Sequence, residues 1–428
     1  MSLRTKFILI LASATLTIYT VVGGWISTRA QQPANDPNAQ LRIFESVLQH
    51  IQSDYVDEPN MEKVRAGALR GLAYGLDPYS TYLTPEQVRE YNGNASKDAQ
   101  GGIGAELSQV ASYLYVIAPV KGSPAEQAGI RAGDIIEYID GKASRDISLY
   151  DARNLVSGAA GTQVALRVLR SGEKPTIIKV TRGAYKIPPV ESRVESGKIG
   201  IIKVYSLENG ESSDIKSQLQ NLEKQGVTKV VLDLRGVSAG SLDEGVAVAN
   251  LFIKDGNLAT VVGRENKVTR SFAADPAKFV FGGDVAALID LGTAGAAEVV
   301  ASAITDRKRG EVVGERSFGS GTDQQLFTLR SGEGLLLTTA KWASPSGVPF
   351  LGDDRATMGV KPSVEVKRPD TPEPLEVEEM IDQQQNQEPQ ANPTPAAKPD
   401  VKKPAAEDIQ LKKAIEILQG KAQAAKAG

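Results

Sequence analysis

The chain has 428 residues, no cysteine and a single histidine, His50. Without cysteine it can form no disulfide, thiolate nucleophile, thiolate metal site or iron–sulfur cluster. One imidazole cannot build a His-rich zinc site or a zincin helix, and a Ser-His-Asp triad would have to recruit His50. Excess charge is lacking too: 49 Lys and Arg against 52 Asp and Glu leave a net of −3. That balance gives no electrostatic footprint for duplex nucleic acid, so no nucleic-acid partner is expected. The absence of cysteine does not identify the compartment, because an oxidising one permits disulfides without requiring them. At roughly 100–200 residues per domain, the length fits two or three domains.

The chain does have one long apolar run. Arg4 and Lys6 precede an uncharged stretch over 7–27, FILILASATLTIYTVVGGWIS, about the ~20 residues that cross a hydrocarbon core. Residues 1–30 read as an export signal or anchor. Thr28-Arg29-Ala30 is a poor cleavage site, so the run is expected to stay as a membrane anchor. With Arg4 and Lys6 inside, residues from about 30 onward lie outside the cytoplasm, in the periplasm or cell envelope.

Residues 31–97 read as helical. Leu41, Phe44, Val47, Leu48 and Ile51 fall at helical spacing, and a second helical stretch covers 61–72. His50 lies beside the first stripe and reads as an ordinary surface or core-edge histidine. Over 98–183 the pattern turns to short β-type runs, YLYVIA, DIIEYID, VALRVLR and TIIKVTR, with one amphipathic helical stretch at 148–157. Over 184–368, runs such as IGIIKVY, VVLDL and AALIDL alternate with helical stretches, which predicts an α/β layer structure. Residues 369–406 are rich in Pro and Gln and read as a linker. A short helix is expected at 407–418 within the terminal 407–428 segment, with Ile409, Leu411, Ala414, Ile415 and Leu418 able to dock on the body.

Within 101–141, GGIGAEL precedes a strand and then GSPAEQAGIRAGDIIEYIDGK. Gly102, Ile103, Gly104 and Ala105 resemble the carboxylate-binding loop of a PDZ domain. In such a loop glycines let successive backbone N–H groups converge on a terminal carboxylate, and the adjoining strand edge takes up the peptide. The alternative is that the glycines only turn a hairpin. A dinucleotide fingerprint fails, because Leu107 stands where the third glycine belongs. No cofactor or metal is expected.

The likeness extends further. GLDPYSTYLTPEQ at 75–87, VVLDLRG at 230–236, LDEGVAVANLF at 242–252, the stretch 292–324, AKWASPSG at 340–347, GVKPSVEV at 359–366 and EDIQLKKAIEIL at 407–418 follow one another in the order of the C-terminal processing (tail-specific) peptidases. Nearly the whole chain after residue 40 resembles that family of serine peptidases. The resemblance implies a mixed-sheet α/β peptidase core, an inserted β-rich PDZ domain, an N-terminal helical segment, and action on protein C-termini outside the cytoplasm.

Carried over residue by residue, the family's catalytic set is not intact here. Its nucleophile is the middle serine of Gly-Ser-Ala-Ser-Ala-Ser-Glu; here the segment reads Gly292-Thr293-Ala294-Gly295-Ala296-Ala297-Glu298, with Gly295 at that position. Its base is the lysine of Phe-Gly-Lys-Gly, and here Ser320 fills that place in Phe318-Gly319-Ser320-Gly321. The separation, 320 − 295 = 25, equals the family spacing. Gln324, matching the glutamine that orients the lysine, remains. The oxyanion segment Leu-Arg-Gly-Asn-Pro-Gly-Gly has become Leu234-Arg235-Gly236-Val237-Ser238-Ala239-Gly240. Backbone donors survive substitution, so Gly240 and Ala296 are the oxyanion-hole candidates.

A serine hydroxyl attacks only when a base takes its proton, and a lysine serves only when its pKa is lowered towards neutrality. Gly295 has no oxygen and Ser320 is no base. The expectation is an exported, catalytically degenerate member that binds protein C-termini through its PDZ domain. The alternative is an active serine endopeptidase using residues outside the family set, drawn from Ser302, Ser317, Ser320, Lys308 and Lys341. A third reading keeps only a structural shell in the envelope.

Overall fold

A computed structural model describes residues 37–93, 101–110, 112–170, 173–195, 197–208, 210–354, 356–368 and 407–426. The expected anchor at 1–30 and the linker at 369–406 lie outside these residues. Among the described residues, no helix is long and apolar enough to cross a membrane. The chain divides into two units, Met1–Ala68 and Leu69–Gly428.

The first unit holds α1 (Pro37–Asp54). Its stripe is solvent-facing, with Leu41 63% and Val47 51% exposed. His50 is a surface residue there, its Nδ1 2.6 Å from Asp54 Oδ2 one turn on. Helix α2 (Met61–Tyr74) leads towards β1 (Thr81–Leu83) and α3 (Pro85–Gly93). Helix α3 starts on a reciprocal cap: the Gln87 amide donates to the Thr84 hydroxyl, and the Thr84 amide donates to Gln87 Oε1.

The β-rich domain runs through β2 (Ala105–Val110), β3 (Tyr113–Pro119), α4 (Pro124–Gln127), β4 (Ile135–Ile139), β5 (Lys142–Ala143), α5 (Leu149–Val156), β6 (Gln163–Leu169) and β7 (Thr176–Thr181). Its sheet has the order β2-β3-β4-β6-β7, with β5 paired to β4, so β2 is an edge strand. Ser123 and Ser148 cap α4 and α5. Leu149, Ala152 and Val156 at helical spacing bury α5 against Ile103, Leu107 and Val116.

The core comprises β8 (Glu191–Glu195), β9 (Ile199–Lys203), α6 (Glu211–Lys224), β10 (Lys229–Asp233), α7 (Leu242–Phe252), β11 (Asn257–Val262), β12 (Val268–Ala273), β13 (Asp284–Ile289), α8 (Ala296–Asp306), β14 (Gly310–Gly314), β15 (Thr322–Thr328), β16 (Gly334–Ala343), β17 (Val364–Glu365) and α9 (Ile409–Lys426). One sheet has the order β17-β14-β13-β10-β9-β8, parallel except for β8. A second, antiparallel sheet joins β1, β16, β11 and β12, with β15 on β16.

The side-chain alternation of a strand splits the parallel sheet between two cores. Val230 and Leu232 of β10 face α6, α7 and α8, whereas Val231 faces the other side with Ile199, Ile201, Ala286 and Leu288. On that second face lies α9, with Ala414 and Leu418 fully buried. The helix starts later and runs further than the 407–418 expected from sequence. Asp408 caps it by accepting the Leu411 amide hydrogen, and the Ala-, Gln- and Lys-rich stretch after Leu418 favours continuation.

Candidate active-site cleft and peptide groove

Strands β10, β13 and β14 are parallel, so the segments leaving their carboxyl ends converge at one end of the sheet, where open α/β sheets place ligands. These segments are 234–241, 290–295 and 315–321, and they contain Gly240, Gly295, Ser317 and Ser320, with Ala296 opening the helix that follows the second and Gln324 on the strand that follows the third. Buried Asp290 joins two of them: its Oδ1 accepts the amides of Gly236 at 2.9 Å and Gly292 at 3.0 Å. The Thr293 hydroxyl donates to the Leu234 carbonyl, and the Ala294 amide to that of Val237.

The structure brings Gly295 and Ser320 together. A Cβ built on Gly295 would stand 3.7 Å from Ser320 Oγ and 3.7 Å from the Trp342 ring, ordinary contact distances. The backbone there, φ 55° and ψ −113°, is one that a side chain adopts only under strain. What fixes it is Glu298, fully buried in the first turn of α8. One carboxylate oxygen accepts the Gly295 amide at 2.8 Å and the Ser320 amide at 2.9 Å. The other accepts the Gly319 amide at 2.7 Å and the Ser317 hydroxyl. Burial pushes the Glu298 pKa up, and the Ser317 hydroxyl and the three amides pull against that rise. Every partner is a donor, the complement of an ionised carboxylate.

The other candidates are committed elsewhere. Gln324 donates to the Tyr79 carbonyl at 2.7 Å. Ser302 is buried inside α8, bonded to the Val299 carbonyl. Ser317 is fully buried, donates to Glu298 and accepts the Val360 amide. Lys308 stands exposed in the turn after α8 with φ 50°. Lys341 pairs across β16 with Thr322 and Val262. Among the described residues, no cluster of acidic residues and histidine could hold a metal.

Gly240 and Ala296 are also adjacent: a Cβ on Gly240 would meet Ala296 Cβ and the Leu207 carbonyl, each at 2.7 Å, so only glycine fits. Neither amide has an acceptor among the described residues, which leaves two donors at the N-terminus of α8. Beside them is a cleft of about 290 Å³ lined by Glu106, Glu208 and 238–241. The β-rich domain closes over this end of the sheet: Tyr115 stacks on Phe318 with ring centroids 5.5 Å apart, within a cluster that includes Ala294.

In the glycine loop, Ile103 points into the domain core. Gly104 has φ 69°, and a Cβ there would collide with Ser123 Cβ at 2.4 Å and Tyr185 at 2.7 Å. Gly102 is bridged antiparallel to Gly183, whereas the amides of Ile103 and Gly104 have no acceptor among the described residues, and the loop opens directly into edge strand β2 at Ala105.

Sequence reasoning passed over Glu298, Glu106 and Arg153. The signal for Glu298 was present, a lone carboxylate in the apolar run AAEVVASAI, where an unpaired charge would not be tolerated.

Residues 198–366 match the model of peptidase family S41, and 115–170 match that of the PDZ domain. A probable CtpA-like serine protease of Staphylococcus aureus (strain N315) is 33% identical over 372 residues, 86% of this chain and 73% of that protein. The carboxy-terminal-processing protease of Bartonella bacilliformis is 31% identical over 335 residues, covering 77% of this chain and 76% of its own. Among solved structures, the photosystem II D1 C-terminal processing protease superposes with a TM-score of 0.63 at 27% identity, over 78% of this chain and 94% of that one.

Proposed function

The chain belongs to peptidase family S41, and from that premise we propose that it is a catalytically degenerate member that binds protein C-termini through its PDZ domain. The observation that carries this reading is the pair at the heart of the cleft. Gly295 offers no nucleophilic oxygen, and Ser320 stands where a base is needed. A hydroxyl cannot serve as that base near neutral pH. The buried positions of Ser302 and Ser317, both already hydrogen-bonded, count against a substitute nucleophile. The unspent amides of Ile103 and Gly104, next to edge strand β2, support capture of a carboxylate-ended peptide.

On this reading the protein is a scaffold or regulator. It is held to the membrane by residues 7–27, with its body outside the cytoplasm. Isothermal titration of the full-length protein with one apolar-tailed peptide, free and amidated at its C-terminus, tests the binding claim. The free acid binds and the amide does not; equal affinity, or no binding, counts against it.

A further inference from the structure

Leu107 and Val116 face each other across β2 and β3. Val116 uses its N–H on Asp134 and its carbonyl on Gly133. Leu107 is therefore in a non-hydrogen-bonded pair, and its own N–H and C=O point off the open edge of the sheet. An added peptide strand would bond there. In this structure the place is taken: Arg153 Nη2, from α5, donates to the Leu107 carbonyl at 3.1 Å. Two residues along, buried Gln109 donates to the Ile147 carbonyl at 2.9 Å, while its Oε1 has no partner. Gln109 is 7% exposed and its acceptor is buried without a partner.

We propose that Arg153 closes the peptide groove of the free protein and selects tails that carry an acidic side chain close to their terminal carboxylate. This rests on the tail-binding reading above. A tail pairing with β2 takes the Leu107 carbonyl as acceptor and displaces the guanidinium. In its present place the guanidinium has Glu106 Oε2 at 3.7 Å, an ion pair beyond hydrogen-bond distance, and this is the counter-ion left to it when the Leu107 carbonyl is taken. Desolvation raises the Glu106 pKa against the pull of Arg153, and the Glu208 charge raises it further, so Glu106 is a reluctant counter-ion. A carboxylate on the tail supplies what the arginine has lost, with two oxygens matched to its fork of donors. A lysine in that place meets a like charge that Glu106 offsets only in part.

Leu107 lies three residue steps beyond Gly104, about 10 Å at ~3.3 Å per residue. That span sets the selected side chain two or three residues from the end of the tail.

The test uses full-length protein and fluorescence anisotropy with three labelled peptides: one ending in Glu-Val-Ala, one in Lys-Val-Ala, and the glutamate peptide amidated. Wild type binds the glutamate tail at least tenfold more tightly than the lysine tail. In Arg153→Ala and in Arg153→Gln, which keeps a donor and the alkyl stem, that preference falls below twofold. Preference retained in both variants, or absent in wild type, overturns the assignment while leaving tail binding in place. Failure of every free-acid tail to bind either wild type or variant removes both readings.

Discussion

A side chain at Gly295 would face the hydroxyl of Ser320 at van der Waals distance, its Cβ 3.7 Å from Ser320 Oγ. The two positions where this family keeps its reacting groups are thus still juxtaposed, although neither carries one. Glu298, bonded to both backbones, keeps them so. On the degenerate reading proposed above the site keeps the frame without the chemistry, and several consequences can be measured.

Removing the frame should be costly. Glu298→Ala leaves four buried donors, those of Gly295, Ser317, Gly319 and Ser320, without their acceptor. Stripping one partner from a buried charged network costs about 3 kcal/mol or more. The urea unfolding midpoint should fall accordingly, and an unchanged midpoint would show that water replaces the carboxylate.

The frame should also accept the missing groups. In the double variant Gly295→Ser with Ser320→Lys, the new Cβ makes only ordinary van der Waals contacts, and strain at φ 55° costs on the order of 1–3 kcal/mol. With the Gly240 and Ala296 amides still unspent, slow hydrolysis of an apolar-tailed peptide should appear. A folded but inert variant would mean the cleft has diverged beyond these two positions.

The C-terminal helix should be acid-labile. Arg235 bridges Asp233 and Asp408, which caps α9, through contacts of 2.8 Å to each. Desolvation pushes both aspartates up, but Arg235, joined at Asp233 by Lys203, more than offsets it, and both end below the ordinary value near 3.8. A depressed folded-state pKa gives stabilisation that is full above the unfolded value and lost as pH falls through the folded one. Hydrogen exchange across 409–426 should therefore accelerate below about pH 4 in wild type. In Arg235→Gln it should already be fast at neutral pH. Equal protection in the two proteins across that range would refute the clamp.

Much of this architecture was legible because it is periodic. VVLDL and AALIDL, alternating with helical stretches, predicted an α/β layer, and the glycines of 101–104 marked a loop beside a strand edge. The 25-residue separation, equal to that of the family the chain resembles, put Gly295 and Ser320 in register with its two reacting positions. The contacts that make the site were not legible, since they join residues far apart in the chain. Ser320 lies 22 residues beyond Glu298, Leu107 lies 46 before Arg153, and Asp408 lies 173 after Arg235. No periodicity encodes such pairs. The extent of α9 was underestimated because its last turns carry little apolar signal and rest on helix propensity alone.

The central claim is that this chain binds and does not cut. The direct measurement is mass spectrometry of a free-acid, apolar-tailed peptide after prolonged incubation with the purified full-length protein. The account predicts the peptide recovered at its original mass, with a fraction co-eluting with the protein. A shortened peptide whose appearance is blocked by a serine-directed fluorophosphonate would contradict it.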